Sequence, residues 1–305
     1  MRISDLKKRK LAFLLLFILF DVVLISWDAG ASEREESLVI GLLPEMNVFR
    51  QKQRFEPLAT YLGQHMGISV RLTMLSLYGN IIERMEKEEV DAAFLGSFTG
   101  ALAISQLHVV PLARPINTDG TSTYYGQIFV RKESGIQSVL DMKGKSMALV
   151  EKATTAGYIF PLAWLKHQGV DNIDTYFSRL FFTGSHDSAV DAVLNGKADI
   201  GAAKNTVYEH MQQSNPRIAA ELVVLATSPR VPSNSLCVRD TLNEKQKEQL
   251  KTLLLNLHLD PEGLEVLKQL GARRFVETNK EDYKPVLDMT LEAGIELVKY
   301  NYHNL

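Results

Sequence analysis

The sequence predicts an α/β protein of two lobes, each a mostly parallel sheet flanked by helices, with a two-strand hinge between them. Three observations lead there. From Leu38 onward, short apolar runs alternate with amphipathic stretches, the signature of βαβ units. The alternation is interrupted once, by the longer apolar-alternating stretch YYGQIFVRK from Tyr124 to Lys132, and then restarts. The chain has 305 residues, 46% of them hydrophobic and 23% charged, enough for two ordinary cores and against disorder.

The elements follow in order. SLVIGLLP is a strand that stops at Pro44. In RFEPLATYLGQHM, Phe55, Leu58, Leu62 and Met66 recur three and four apart, so the segment is a helix with one buried stripe. ISVRLTML alternates Ile68, Val70, Leu72 and Met74 as a strand, and NIIERMEKEE is a helix with Ile81, Ile82 and Met85 inward. VDAAFLG, SFTGALAISQ and HVVPLA give strand, helix and strand. After the interruption come KSMALV (strand), TAGYIFPLAWLKHQG (helix, with Phe160 and Trp164 on its apolar face), RLFFT (strand), HDSAVDAVLNG (helix) and ADIGAA (strand). LVVLATS, the Pro-rich SPRVPSNS and the strand SLCVRD follow, and the last 65 residues read as wholly helical. EKEEVDAAF in the first half resembles LNGKADIGAA in the second, each placing an acid, Asp91 or Asp199, at the mouth of a small-residue strand. These patterns divide the chain into lobe one, residues 38–130 plus 231–305, and lobe two, residues 131–230. A cleft between two such lobes is a favoured place for a ligand. The helical tail from Leu242 onward is expected to pack on lobe one.

The first 31 residues have a different character. A basic start, MRISDLKKRK, is followed by the apolar Leu11–Phe20, an interrupting Asp21, more apolar residues to Trp27, and the small-residue pattern Ala29-Gly30-Ala31. This order is that of a secretory signal peptide, with cleavage expected after Ala31. A retained membrane anchor is the alternative, although Leu11–Trp27 is shorter than the roughly 20 apolar residues of a span and contains an acid. The formal charge of −2, from 34 basic and 36 acidic residues, argues against a nucleic-acid partner. One cysteine, Cys237, rules out an internal disulfide, and its apolar strand makes it a small core residue.

Several chemistries find no support. HExxH, CxxC and GxSxG are absent, so no metal site and no catalytic residue is nominated, and no cofactor is expected. Gly144-Lys145-Ser146 resembles the end of a phosphate-binding loop, but the required earlier glycine is Val139.

Two strand-to-helix turns do carry chemistry. In ALVEKATTAGYIFPLAWL, Thr154 and Thr155 stand where the loop becomes a helix, and Ala156 and Gly157 are small enough for close approach of a ligand. Helix starts offer free N–H groups and partial positive charge, which suit an anion. Taken alone, either threonine is better explained as a helix cap than as a ligand contact. In FFTGSHDSAVDAVL, His186 opens the next helix; its ring can donate, and a bound oxyanion would favour its charged form. Both turns leave the C-terminal ends of strands in one sheet, where open α/β sheets bind ligands.

The succession FLGSF, TTAGYIFP, GSHDSAVDAVLNGKADIGA and SPRVPSNSLCVR resembles the phosphonate/phosphite/phosphate-binding periplasmic proteins of ABC importers, over residues 38–275. The resemblance implies a type 2 periplasmic-binding-protein fold. It also implies a hydroxyl-rich turn and a histidine that hold phosphonate oxygens, here Thr154, Thr155, Ala156, Gly157 and His186; Ala156 lacks the third hydroxyl. Tyr78 fits the family's tyrosine in lobe one. The positions that hold a ligand amine in some members correspond here to Leu95, Thr206 and Asn234, none of which can carry negative charge, so an amine-bearing phosphonate is not the expected ligand. A carboxylate that plugs the inter-lobe space, or two turns that point away from each other, would overturn the oxyanion reading. The resemblance thus implies a non-enzymatic, monomeric receptor that captures phosphite, phosphate or a simple phosphonate and delivers it to an ABC permease. Contact with the membrane would come only through that permease or an uncleaved N-terminus. The alternative is an anchored or exported sensing module that signals to a kinase.

Overall fold

The computed structural model describes residues 37–45 and 47–303; the expected signal segment, residues 1–31, lies outside the described residues. The chain begins with β1 (Ser37–Leu42), α1 (Val48–Met66), β2 (Ser69–Met74), α2 (Asn80–Glu86), β3 (Ala92–Leu95), α3 (Ser97–Leu107) and β4 (Val110–Asn117). Local signals fix these boundaries. The Asn47 side chain accepts hydrogen bonds from the Phe49 and Arg50 amides at the start of α1, and Gly67 closes that helix at φ 67°. The apolar stripe lies as expected: Phe55, Leu58 and Leu62 are buried in α1, and Ile81, Ile82 and Met85 in α2.

After β5 (Thr123–Tyr124), lobe two is built from β6 (Gly126–Arg131), β7 (Ser146–Leu149), one wide turn of π-helix at Thr155–Ile159, α4 (Phe160–His167), α5 (Ile173–Tyr176), β8 (Arg179–Phe182), α6 (His186–Leu194), β9 (Ile200–Lys204), α7 (Asn205–Ser214), α8 (Pro216–Glu221) and β10 (Leu222–Thr227). The chain returns through β11 (Val231–Pro232) to β12 (Ser235–Val238), α9 (Glu244–Asn256), α10 (Pro261–Leu270), β13 (Ala272–Glu277) and α11 (Lys284–Glu292).

The strands form a six-stranded sheet in the order β13-β4-β12-β3-β1-β2 and a five-stranded sheet in the order β10-β6-β9-β7-β8. Both are mixed. β12 runs antiparallel to β3 and β4, and β6 runs antiparallel to β9 and β10, while β1–β3, β7–β8 and β7–β9 are parallel. The sheets are joined where β5 and β11 pair as a two-stranded ribbon. The stretch Gly126–Arg131 pairs within the five-stranded sheet, so the chain leaves lobe one at Tyr124 rather than after residue 130. Apolar alternation runs unbroken through both strands of YYGQIFVRK and therefore hides the crossing point.

The tail is not wholly helical. ARRFVE is β13, antiparallel to β4 with Phe275 opposite Pro115. Only Phe275 of this edge strand is buried, so no alternation announces it. Helices α9 and α10 pack on lobe one, with Leu250, Leu254 and Val266 joining Ile40 and Phe94 in one cluster. Helix α11 lies between the lobes, against α3 on one side and α4 on the other. A single apolar cluster runs from Leu43 and Phe98 through Tyr124 to Val150 and Phe160, so the core is continuous across the two sheets.

Candidate functional site

Three parallel strands of lobe two, β9, β7 and β8, end side by side, and a helical segment starts after each. Beyond β7, the first intrahelical bond runs from the Ile159 N–H to the Thr154 carbonyl, 3.1 Å, which leaves the preceding amides ahead of the helical ladder. Beyond β8, Ser185 caps α6 by accepting from the Ser188 N–H, and His186 is its first residue. Beyond β9, Lys204 leads into α7. The Lys204 main-chain N–H donates to His186 Nδ1 at 3.2 Å, which ties the second start to the third.

Lobe one closes over this edge. The hydroxyls of Ser97 and Thr155 share a hydrogen bond of 2.6 Å, and Ser97 shares another, of 2.7 Å, with Tyr124 Oη. Thr99 Oγ1 donates to the Ala153 carbonyl at 2.9 Å, and the Tyr78 N–H donates to Glu151 Oε2 at 2.8 Å. The Tyr78 ring meets the His186 ring edge-on, with centroids 6.1 Å apart. Lys204 Nζ crosses into lobe one, donating to Glu45 Oε1 and to Asn234 Oδ1, each at 2.9 Å, and lies 4.4 Å from the Tyr124 ring centroid.

Burial sets the charges. His186 is only 3% exposed, and desolvation pushes its pKa down to about 4, although Glu45 and Asp187 pull the other way. The ring is therefore neutral at pH 7 in this closed cleft, with Nδ1 accepting and the proton on Nε2, which keeps one ring N–H as a donor; the charged form is the expectation for a bound oxyanion. Burial raises the pKa of Glu45, but the attraction and hydrogen bond of Lys204 help to outweigh it, so the carboxyl falls below its usual value. The Tyr78 phenol is held well above the ordinary tyrosine value by burial, then by Glu45 and Glu151. Removing one member of a buried pair such as Glu45–Lys204 leaves an uncompensated charge, a loss of about 3–5 kcal/mol.

The expected residues thus come together in part. Tyr78, Thr155, His186 and Asn234 meet across the cleft. Thr154 turns inward on its own loop, donating to the Glu151 carbonyl at 2.6 Å. Gly157 is small because a Cβ there would stand 2.4 Å from Val150 Cβ, and Ala156 lies against Gly126, so both serve packing inside lobe two. Leu95 is wholly buried in the apolar core at the end of β3. Thr206 lies one residue inside α7, and the residue that reaches lobe one from this region is Lys204. The cleft expected to lack a carboxylate contains Glu151, against the Tyr78 N–H, and Glu45, in a charge pair with Lys204, and the pair adds no net negative charge at the centre. Sequence reasoning missed both members. The available signal was a lysine ending the otherwise apolar strand IGAAK, a costly place for a cation without a built partner.

Comparison with known proteins agrees with this architecture. Residues 40–283 match the family model described as ABC transporter, phosphonate, periplasmic substrate-binding protein. The chain is 23% identical over 287 residues to the phosphonates-binding periplasmic protein of Escherichia coli, covering 93% of this chain and 84% of that one. It is 26% identical to the phosphate-import protein PhnD of Mycolicibacterium smegmatis, covering 72% and 71%. Among solved structures, a binding protein component of an ABC phosphonate transporter from Pseudomonas aeruginosa superposes with a TM-score of 0.79 at 23% identity, covering 85% of this chain and 87% of that one. PhnD1 from Prochlorococcus marinus, solved in complex with methylphosphonate, superposes with a TM-score of 0.76 at 20% identity, covering 86% and 99%. With two sheets meeting at a closed cleft and a family match over most of its length, the chain belongs to the phosphonate periplasmic substrate-binding proteins of ABC transporters.

Proposed function

We propose that this receptor captures a small phosphorus oxyanion, namely phosphite, phosphate or a simple phosphonate, between its lobes and presents it to a membrane permease. The convergence of two helix starts and the Lys204 ammonium on one edge of the five-stranded sheet carries this reading. Thr155 supplies a hydroxyl at the first start, and Tyr78, Ser97 and Asn234 cover the edge from lobe one. Opening separates the Ser97–Thr155, Thr99–Ala153, Tyr78–Glu151 and Lys204–Glu45 contacts. Closure around a ligand is a population shift, driven by whatever the ligand gains in the closed form over the open one.

A thermal-shift and calorimetry panel of phosphate, phosphite and methylphosphonate tests the assignment. A bound ligand at about 100 times its Kd adds roughly 2.7 kcal/mol to stability. Thr155→Val removes a donor to a charged oxygen, worth about 1.5–3 kcal/mol, and should weaken binding at least about tenfold while leaving the fold intact. Equal affinity in both proteins would reduce Thr155 to a lobe-to-lobe contact, and no response to any of the three anions would overturn the oxyanion assignment. The receptor is proposed to be monomeric and exported by cleavage after Ala31. Light scattering and the intact mass of exported protein, with a mature start at Ser32, check both; a retained N-terminus would favour the anchored sensing role.

A further inference from the structure

Lys204 is placed to do more than close the cleft. Its backbone belongs to lobe two, where the N–H is committed to His186 Nδ1. The side chain leaves that lobe, and its ammonium meets the Glu45 carboxylate, the Asn234 side-chain carbonyl and the face of Tyr124. Both charged residues are buried, at 7% and 8% exposure, and among the described residues Glu45 is the anion that the ammonium pairs with. Beside them the Tyr78 hydroxyl is buried with no hydrogen-bond partner among the described residues; its ring meets His186 edge-on, and burial, then the Glu45 charge, keeps the phenol protonated. A phenol O–H in that position is a donor without an acceptor, costly unless something negative comes within reach.

A carboxylate and a phosphorus oxyanion ask the same thing of an ammonium, a short charge-assisted hydrogen bond. They cannot both have it at full strength, because two like charges a few ångströms apart repel strongly where water is scarce. We infer that Glu45 is an internal competitor of the ligand: its carboxylate holds the place on Lys204 that the oxyanion takes, and the displaced pair is replaced by ligand contacts to Lys204 and the Tyr78 hydroxyl. The inference rests on the oxyanion reading above and deepens it. It makes Glu45 a specificity-determining residue that sets how strongly negative a ligand must be before it binds. Asn234, the second acceptor on the same ammonium, is neutral, and so adds no second repulsion.

Calorimetry with methylphosphonate and inorganic phosphate, at fixed ionic strength and pH 7.5, tests this on the wild type, Glu45→Gln and Asn234→Asp. Glutamine keeps the size of Glu45 and one acceptor for Lys204 while removing the competing charge, so E45Q should bind at least about tenfold more tightly. Asn234→Asp adds a second carboxylate to the same ammonium and should bind about tenfold more weakly. Circular dichroism and melting curves establish that each variant is folded. If the wild type binds and E45Q binds equally or more weakly, the competition is disproved while the oxyanion reading stands. Should E45Q fail to fold, N234D decides alone, since unchanged or tighter binding there also overturns the inference. If no protein in the set binds either probe, the oxyanion reading itself falls.

Discussion

Replacing His186 with asparagine and then lowering the pH measures how firmly the site holds a neutral imidazole. The ring is almost wholly buried, and its Nδ1 accepts the Lys204 N–H, a bond that a proton on Nδ1 would destroy. Burial, the largest influence, brings the folded-state pKa to about 4, whereas the unfolded chain titrates near the ordinary value of 6.5. Between those values the unfolded chain takes up the proton and the folded chain does not, so stability falls as the pH drops. The contribution is complete above about 6.5 and lost once the pH has fallen through about 4. At roughly 1.4 kcal/mol per pH unit, the window is worth about 3 kcal/mol. Asparagine keeps an acceptor near Nδ1 but cannot titrate. Urea unfolding of both proteins between pH 7.5 and 4 should give a stability difference that is constant above pH 7 and moves by about 3 kcal/mol against the wild type by pH 4. Parallel pH profiles for the two proteins would refute the reasoning, because they would mean that His186 gains its proton as easily in the folded state as in the unfolded one.

The remaining predictions are simpler. Gly157→Ala drives a methyl group to within 2.4 Å of the branched Val150 Cβ and 2.9 Å of Thr154 Oγ1, and should cost about 1–3 kcal/mol in denaturant melts while displacing the Thr155 turn. A substitution with no measurable cost would show that the turn can move freely. Cys237 is wholly buried beside Tyr283 Oη, 3.6 Å away, and its thiol is pushed up to about 12 by burial. A thiol-reactive dye should therefore leave the native protein unmodified for hours and label it stoichiometrically in urea; rapid labelling of native protein would contradict a core role.

Local periodicity made much of the fold legible. The stripe Phe55, Leu58 and Leu62, the inward Ile81, Ile82 and Met85, and both anion-suited turns follow from spacing and from the residues that open helices. Edge and crossing features did not. β13 carries one buried residue and takes its partner, β4, from about 160 residues earlier in the chain. The crossing between lobes falls inside a continuous apolar stretch, which gives no local mark of which sheet each strand joins. The helix TAGYIFPLAWLKHQG opens with a wide π turn that its composition does not distinguish from an ordinary first turn.

By itself, the sequence determined the α/β plan, the two lobes and the pair of turns with helix-start chemistry, because each depends on neighbours along the chain. Tertiary structure alone decided the charge at the centre. Glu45 and Lys204 are separated by 159 positions, and neither spacing nor composition pairs them. Only closure of one lobe on the other removes enough water for their attraction, and for the neutral state of His186, to be set by each other rather than by solvent.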